Sequence, residues 1–365
     1  MSAIRPFVAG DIPQVARLHQ KVWGGNADRS GAYSRYFTGV FLENPAGDGL
    51  LSSLVCEDND RRIVGFLGIV PRHVAIDGRC YRAAVSSQFI VEPSSQAGLV
   101  VLRLARTFLE GPQDLSIADE ANDASRRIWE RLGGTTALLH SIYWTRPLRP
   151  VRLLLSCLHR RRPFAAAAGV GSPLAALADG LAARLPGSYF RQRQPSAWAA
   201  DLTGKTAIAS AAEFCETSTL RVVHDERTFQ WLLDRVARRS GGDRVLNVTL
   251  RNKSTSLGWY VCRLDRDGSA DVAQLAATSS TVHEVLDHLF HQAWRNGAVA
   301  VTGRLDPRFI QALSDKYCLF HRRGPWVLIH ARRPELLRAF ESGHAWFSPL
   351  DGEWSLRFEP EDAAR

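Results

Sequence analysis

Asn122-Asp123-Ala124-Ser125-Arg126-Arg127-Ile128-Trp129-Glu130-Arg131-Leu132-Gly133-Gly134 is the most informative stretch of the chain. It reads as a helix over 122–132 stopped by the paired glycines, because glycine accepts the left-handed backbone that ends a helix. Residues 114–119 before it pattern as a strand, and 135–144 after it return as another. The local unit is therefore strand, helix, strand.

Working upstream, 98–109 has helical periodicity and is preceded by Pro93-Ser94-Ser95, which stops a strand over 79–91. That strand closes an antiparallel meander with 51–57 and 63–70. Its turns fall at Asp58-Asn59-Asp60 and Asp77-Gly78, the second a good hairpin signal between apolar runs. Residues 4–7 read as a short strand, and Asp11 caps a helix over 12–23 whose apolar residues Ile12, Val15, Ala16, Leu18 and Val22 keep helical spacing. Residues 24–48 read as loop with a short helix. The order predicts an α/β arrangement, with helices packed on a mixed sheet.

Downstream the pattern breaks over 149–198 and then returns. Helices are predicted over 226–236, 281–294 and 307–313, and strands over 245–250, 258–264, 270–277, 298–303 and 326–330. Asp265-Arg266-Asp267-Gly268 marks a hairpin between two of them. The expected organisation is an N-terminal domain over 1–148, a basic, partly helical linker over 149–198 and a C-terminal domain over 199–365, as 365 residues exceed one ordinary core.

The net charge of +9 resides mostly in that middle segment. Its eight arginines (149, 152, 160, 161, 162, 184, 191, 193) face Asp179 alone. A localised charge without a nucleic-acid motif beside it argues weakly for DNA or RNA, and suggests a linker or a basic surface that touches anionic lipid or a partner. The N-terminus lacks a signal-peptide pattern and no long apolar run is present, so the expected location is the cytoplasm. Cys56, Cys80, Cys157, Cys215, Cys262 and Cys318 are scattered, which suggests neither zinc nor a disulfide framework. The histidines form no metal-ligand pair, and no metal is expected.

The 122–134 stretch resembles the closing helix of the GNAT acyltransferase superfamily, roughly N-x-x-A-x-x-L-Y-x-x-x-G-F. Asn122, Ile128 and Gly133 match, with Ser125, Trp129 and Gly134 at the Ala, Tyr and Phe places. Ile4-Arg5-Pro6 with Asp11, and Val64-Gly65-Phe66-Leu67, look like that family's opening elements. The resemblance spans about residues 3–146, and the repeated pattern downstream suggests the tandem form: two GNAT-like mixed-sheet halves with flanking helices.

What the resemblance implies is a co-substrate, acetyl-CoA or another acyl-CoA, and no metal. Its pyrophosphate would sit where the strand ending in Phe89, Ile90 and Val91 turns into a helix. Gln96, Ala97, Gly98, Leu99 and Val100 would present amides there, with Ser94 and Ser95 as caps. The pantetheine arm would pair with the exposed strand edge. Asn122 and Trp129 complete the expected binding set, and Ser86, Ser87 and Gln88 would line the acyl site. The loop departs from the family, since Leu99 and Val101 stand where small residues are usual. Trp129 cannot transfer a proton as the family's Tyr does. Glu92, Asp119 and Glu120 are the candidate bases, and Tyr143 and Tyr81 the candidate acids. Asp351-Gly352-Glu353 reads either as a plain turn or as part of an acceptor pocket.

The implied activity is an acyl-CoA-dependent N-acyltransferase, acetyl by expectation, acting by direct transfer on a small amine or amino-sugar acceptor. Two alternatives stay open: a GNAT-like binding or scaffold protein without catalysis, and a transferase using an aminoacyl-tRNA donor.

Overall fold

In a computed structural model of the chain, Asn122 Oδ1 accepts the backbone N–H of Ser125 at 2.8 Å, and Gly133 turns the chain out of the helix at φ +89°. Both helix ends thus form as their residues dictate. The structure describes residues 3–23, 30–47, 49–94, 96–159, 173–185, 187–215, 219–239, 244–253 and 255–358. Ser95, Arg160, Arg161, Arg162 and the Ala/Gly-rich run up to 172 lie outside them.

The first half runs β1 (Ala3–Pro6), α1 (Ile12–Trp23), α2 (Ser30–Phe37), β2 (Leu54–Glu57), β3 (Ile63–Ile76), β4 (Arg79–Val91), α3 (Ala97–Leu109), β5 (Leu115–Ala121), α4 (Asp123–Arg131), β6 (Thr135–Thr136) and β7 (Tyr143–Pro147). After it come α5 (Pro150–His159), α6 (Pro173–Arg184), β8 (Trp198–Asp201), α7 (Gly204–Ala211), β9 (Leu220–Val223) and α8 (Glu226–Arg239). The chain continues with β10 (Arg244–Asn252), β11 (Thr255–Leu264), β12 (Ser269–Ala277), α9 (Val282–Arg295), β13 (Ala300–Arg304), α10 (Ile310–Asp315) and β14 (Leu319–His321). It closes on β15 (Trp326–Ala331), α11 (Pro334–Glu341), β16 (Ala345–Trp346) and a short 3-10 helix, Glu353–Leu356.

The chain divides into two compact units that are not contiguous in sequence. The first comprises Met1–Ser141, Glu216–Gly241 and Gly324–Arg365, and the second Ile142–Cys215 and Gly242–Arg323. This division differs from expected boundaries after 148 and 198.

The first unit holds a mixed sheet in the order β1-β2-β3-β4-β5-β15-β6, with β9 on the far stretch of β3 and β16 on β9. Period-two alternation sends neighbouring side chains to opposite faces. Phe66, Ile117, Val327 and Ile329 face one apolar cluster, which includes Val15, Phe37 and Phe340. Leu67, Ala118 and Leu328 face the other, with Leu104, Phe108 and Trp129. Each face is covered by helices, as an α/β sheet requires. At the β3–β4 hairpin, Asp77 and Gly78 both take positive φ, +50° and +75°, as a two-residue primed turn demands.

The second unit holds the sheet β14-β7-β13-β12-β11-β10-β8. Its core gathers Trp144, Tyr260, Val285, Leu289, Phe290 and Val301. Four of its strands and two of its helices fall where the periodicity of 245–313 places them.

Two predictions are corrected here. The spacing predicts a single strand over 135–144. Instead the chain breaks at a 3-10 helix, Leu139–Ser141, so that β6 belongs to the first sheet and β7 lies between β13 and β14 in the second. Conversely, β15 is read as the last strand of the C-terminal half, yet it pairs antiparallel with β5 and β6 of the first sheet. Each sheet is thus completed by a strand from the other half of the sequence. Local pattern specifies that a segment is a strand, whereas its partner is chosen by contacts more than a hundred residues away.

Candidate active site

β4 and β5 are parallel neighbours only at their beginnings. The paired residues are Ala83–Leu115, Ala84–Ser116 and Val85–Ile117, after which β4 runs on to Val91 and β5 to Ala121 with no further pairing between them. Beyond Ile117, β5 keeps its ladder with β15 on its other edge. The two strands therefore part, and a cavity of about 550 Å³ opens between them. That is within the usual range for a small-molecule site.

Ser86, Gln88 and Phe89 from β4 line the cavity, with Ala118, Glu120 and Ala121 from β5, and Asn122, Ser125 and Trp129 from the α4 end. His19, Trp23 and Tyr33 come from α1 and α2. Glu353, Arg357 and Phe358 come from the end of the chain. All belong to the first unit.

A β-bulge shapes the β4 wall. Gly68 pairs with Ser87 but Phe66 pairs with Ile90, so Gln88 and Phe89 together face Leu67 alone. Gln88 takes φ +52° there, a conformation that costs a non-glycine residue about 1 kcal/mol or more. The bulge turns the Gln88 amide off the ladder, and its N–H donates to Glu353 Oε1 at 2.8 Å. Ser87 Oγ donates to the same oxygen at 3.3 Å. The Gln88 side-chain Oε1 lies 3.0 Å from His19 Nε2, whose Nδ1 is 3.2 Å from the Tyr33 hydroxyl. With Oε1 accepting, His19 carries its proton on Nε2 and takes the Tyr33 hydroxyl proton as an acceptor on Nδ1. Burial pushes the His19 pKa down, so the imidazole is neutral near pH 7.

Glu353 is a strongly perturbed carboxyl of the cavity. Burial pushes its pKa up to about 8; the Gln88 hydrogen bond opposes that shift, and the nearby Glu120 and Asp119 charges add to it. Its backbone is held from beneath. Asp119 is fully buried and accepts the Glu353 N–H at 2.8 Å, while a Cβ placed on Gly352 would meet Asp119 Oδ2 at 1.9 Å. Asp351 accepts from His224 Nε2 at 2.8 Å, Ser348 Oγ at 2.7 Å and Ser348 N at 2.9 Å. Burial works to raise the Asp351 carboxyl, but these bonds outweigh it and leave it below the usual carboxylate range. Arg72, also buried, donates from Nε to the Asp351 carbonyl at 3.0 Å; burial lowers its guanidinium to about 10. At the mouth, Arg357 pairs with Glu120. Phe358 stacks on Tyr33 at 4.3 Å and 18°, and Trp23 stands 66% exposed beside them.

Of the residues the sequence singled out, the cavity brings together Phe89, Glu120, Asn122, Trp129, Ser86 and Gln88. Ile90 is in the apolar core and Val91 packs on the α3 face. Glu92 is ion-paired with Lys21. Asp119 lies beneath the cavity as a support for Glu353, not on its wall. Tyr143 belongs to β7 of the second unit, its ring stacked with His321 at 6.4 Å and 11°. Tyr81 hydrogen-bonds Glu335 at 3.3 Å. Gln96, Ala97, Gly98, Leu99 and Val100 form the start of α3, outside the cavity lining. Leu99 is 57% exposed and a Cβ on Gly98 would meet nothing within 4 Å, so the bulk of Leu99 does not fill the space at that helix start. Val100 is buried against Gly65, where a Cβ would come within 2.9 Å of it.

His19, Tyr33, Arg357 and Phe358 carry no sequence signal as site residues. Glu353 carries only the weak one of a turn that doubles as a wall.

No family model matches the chain, and no curated protein matches it by sequence. Solved structures do. A GCN5-related N-acetyltransferase from Anabaena variabilis superposes with a TM-score of 0.56 at 12% identity, covering 90% of this chain and 72% of its own. A GCN5-related N-acetyltransferase from Kribbella flavida gives 0.54 at 16% identity, covering 90% and 71%. The chain shares its fold with these N-acetyltransferases. N-myristoyltransferase from Saccharomyces cerevisiae, solved with bound myristoyl-CoA, gives 0.50 at 11% identity over 92% of this chain and 81% of its own. The structural similarity thus covers both halves of the chain.

Proposed function

We propose that the protein is an acyl-CoA-dependent N-acyltransferase whose reaction takes place where β4 and β5 part. The observation that supports this reading is the open β4 edge from Ser86 to Val91, next to a cavity holding a poised carboxyl. An acyl-CoA would lay its pantetheine amides along that edge as an added strand, with its diphosphate at the amides that begin α3 and its thioester at the bulge. Gly98 and the outward Leu99 leave room for this, and Phe89, Asn122 and Trp129 would border the arm.

Glu353 is the proposed base. In its ionised form it takes a proton from the acceptor ammonium, and the freed amine attacks the thioester carbon. The tetrahedral adduct collapses with cleavage of the C–S bond and the nitrogen gives up its second proton to solvent, leaving an amide and the CoA thiolate. A thiol has an ordinary pKa near 8.5, so the thiolate leaves without a dedicated acid and Trp129 need not donate. Glu120 would hold the second charge of the ammonium's surroundings once Arg357 moves aside. The aromatic walls Trp23, Tyr33 and Phe358 suit a small amine carried on a flat or apolar body. Acetyl is the expected acyl group.

The test is acyl transfer itself. Acetyl-CoA and longer acyl-CoAs are first screened for thermal stabilisation, since a ligand at a hundredfold excess over Kd adds about 2.7 kcal/mol to the stability of the native state. Release of free thiol is then followed with a panel of amines. Stabilisation without thiol release from any amine would favour a binding protein, and absence of both would remove the acyl-CoA reading.

A further inference from the structure

The basic segment 149–198 is not absorbed by the acyl-transfer site, and its helices have an unusual surface. α6 buries Ala175 and Asp179 on one side. The Asp179 carboxylate caps α5 there, accepting from Val151 N at 2.8 Å and Arg152 N at 3.4 Å. The opposite side is a bare leucine stripe. Leu174, Leu177, Leu181 and Leu185 are 75%, 64%, 63% and 59% exposed. Their spacing of three, four and four residues places them on one face of a helix. Single exposed leucines are ordinary, but a contiguous apolar stripe marks a contact surface.

Charge selects what covers it. Arg149 and Arg152 are turned inward, the first to the carbonyls of Trp294 and Ala298 and the second to Asp179. Arg184, Arg191 and Arg193 are exposed, and no Asp or Glu lies between Asp179 and Asp201 to offset them. A second copy of this chain meeting the same face about a two-fold axis would bring arginine against arginine. A leaflet with anionic headgroups accommodates both features, taking the leucines into its acyl boundary and the arginines at its surface.

We propose that α6 and the turn after it dock the protein flat on an anionic bilayer surface. The docking is independent of whether the chain transfers acyl groups. The test is flotation of the full chain with vesicles of phosphatidylcholine and phosphatidylglycerol mixed two to one, compared with phosphatidylcholine alone. Flotation is expected with the mixed vesicles only, and it should weaken as salt rises. The paired change Leu177→Ser and Leu181→Ser should reduce partitioning at least tenfold with an unchanged thermal melt, because both side chains are already in water. Arg191→Glu with Arg193→Glu should also reduce it, by about fivefold or more for each arginine removed. Failure of the wild-type chain to float with the mixed vesicles would overturn the proposal, as would leucine variants that float equally well. So would a lipid-free dimer in sedimentation velocity that the leucine changes abolish, which would assign the stripe to a second copy.

Discussion

Glu353 owes its proposed role to three groups far from it in sequence. Gln88 donates to its carboxylate, Asp119 holds its amide, and Gly352 lets the backbone lie against Asp119. Glu353→Gln should lower kcat/KM by about a hundredfold or more while leaving acyl-CoA binding in place, the effect of losing a general base. In the wild-type protein the proposed kcat/KM should rise with pH through about 8, as the carboxyl ionises. Stability should move the other way. A carboxyl whose pKa is raised on folding holds its proton more tightly in the native state, so its contribution is full below 4.5 and is lost as pH climbs through about 8. Thermal melts of wild type and Glu353→Gln across that window should show a fall in Tm for the wild type that the variant lacks. Gly352→Ala should destabilise by about 1–3 kcal/mol, measured by urea unfolding, because its methyl would overlap the buried Asp119 carboxylate. At this scale the sequence exposes Glu120, Asn122 and Trp129, which neighbour one motif, and Ser86, Gln88 and Phe89, which lie on the strand that the resemblance marks out. It does not expose His19, Tyr33 or Arg357, whose proximity is created only when distant segments meet.

Among the elements, β7 and β15 show what local pattern cannot decide. Both are short strands, and each pairs in a sheet built mainly from the other half of the sequence. Ile329 in β15 is fully buried opposite Ile117 of β5. Ile329→Ala should therefore cost about 2–5 kcal/mol. Hydrogen exchange should then show protection lost at Leu115–Ala121 of β5; loss confined to β13 would contradict the pairing. The helices α1, α3, α4 and α9 lie within a residue of their predicted spans, because capping and periodicity act over a single turn or two. The bulge at Gln88 has no such local cause. It exists because two residues of β4 share one partner on β3, and register is a property of the pair.

For the whole molecule, the expected segment 1–148 is not a folding unit in this architecture. It lacks β15, which pairs with β5 and β6, and β9, which pairs with β3, and it carries β7 without β13 or β14. Expressed alone, it should show no cooperative thermal transition by circular dichroism; a sharp two-state melt would refute the interleaved arrangement. Taken by itself, the sequence determined the α/β class, the order of most elements, the resemblance to GNAT acyltransferases and the concentration of positive charge between residues 149 and 198, all of which follow from short-range rules of capping, periodicity and composition. The tertiary structure decided which strands complete which sheet, that the end of the chain supplies Glu353 to a cavity framed by β4 and β5, and that the leucines of α6 face water. Those outcomes depend on pairing and burial between residues far apart in the chain, a kind of information that no local window of sequence contains.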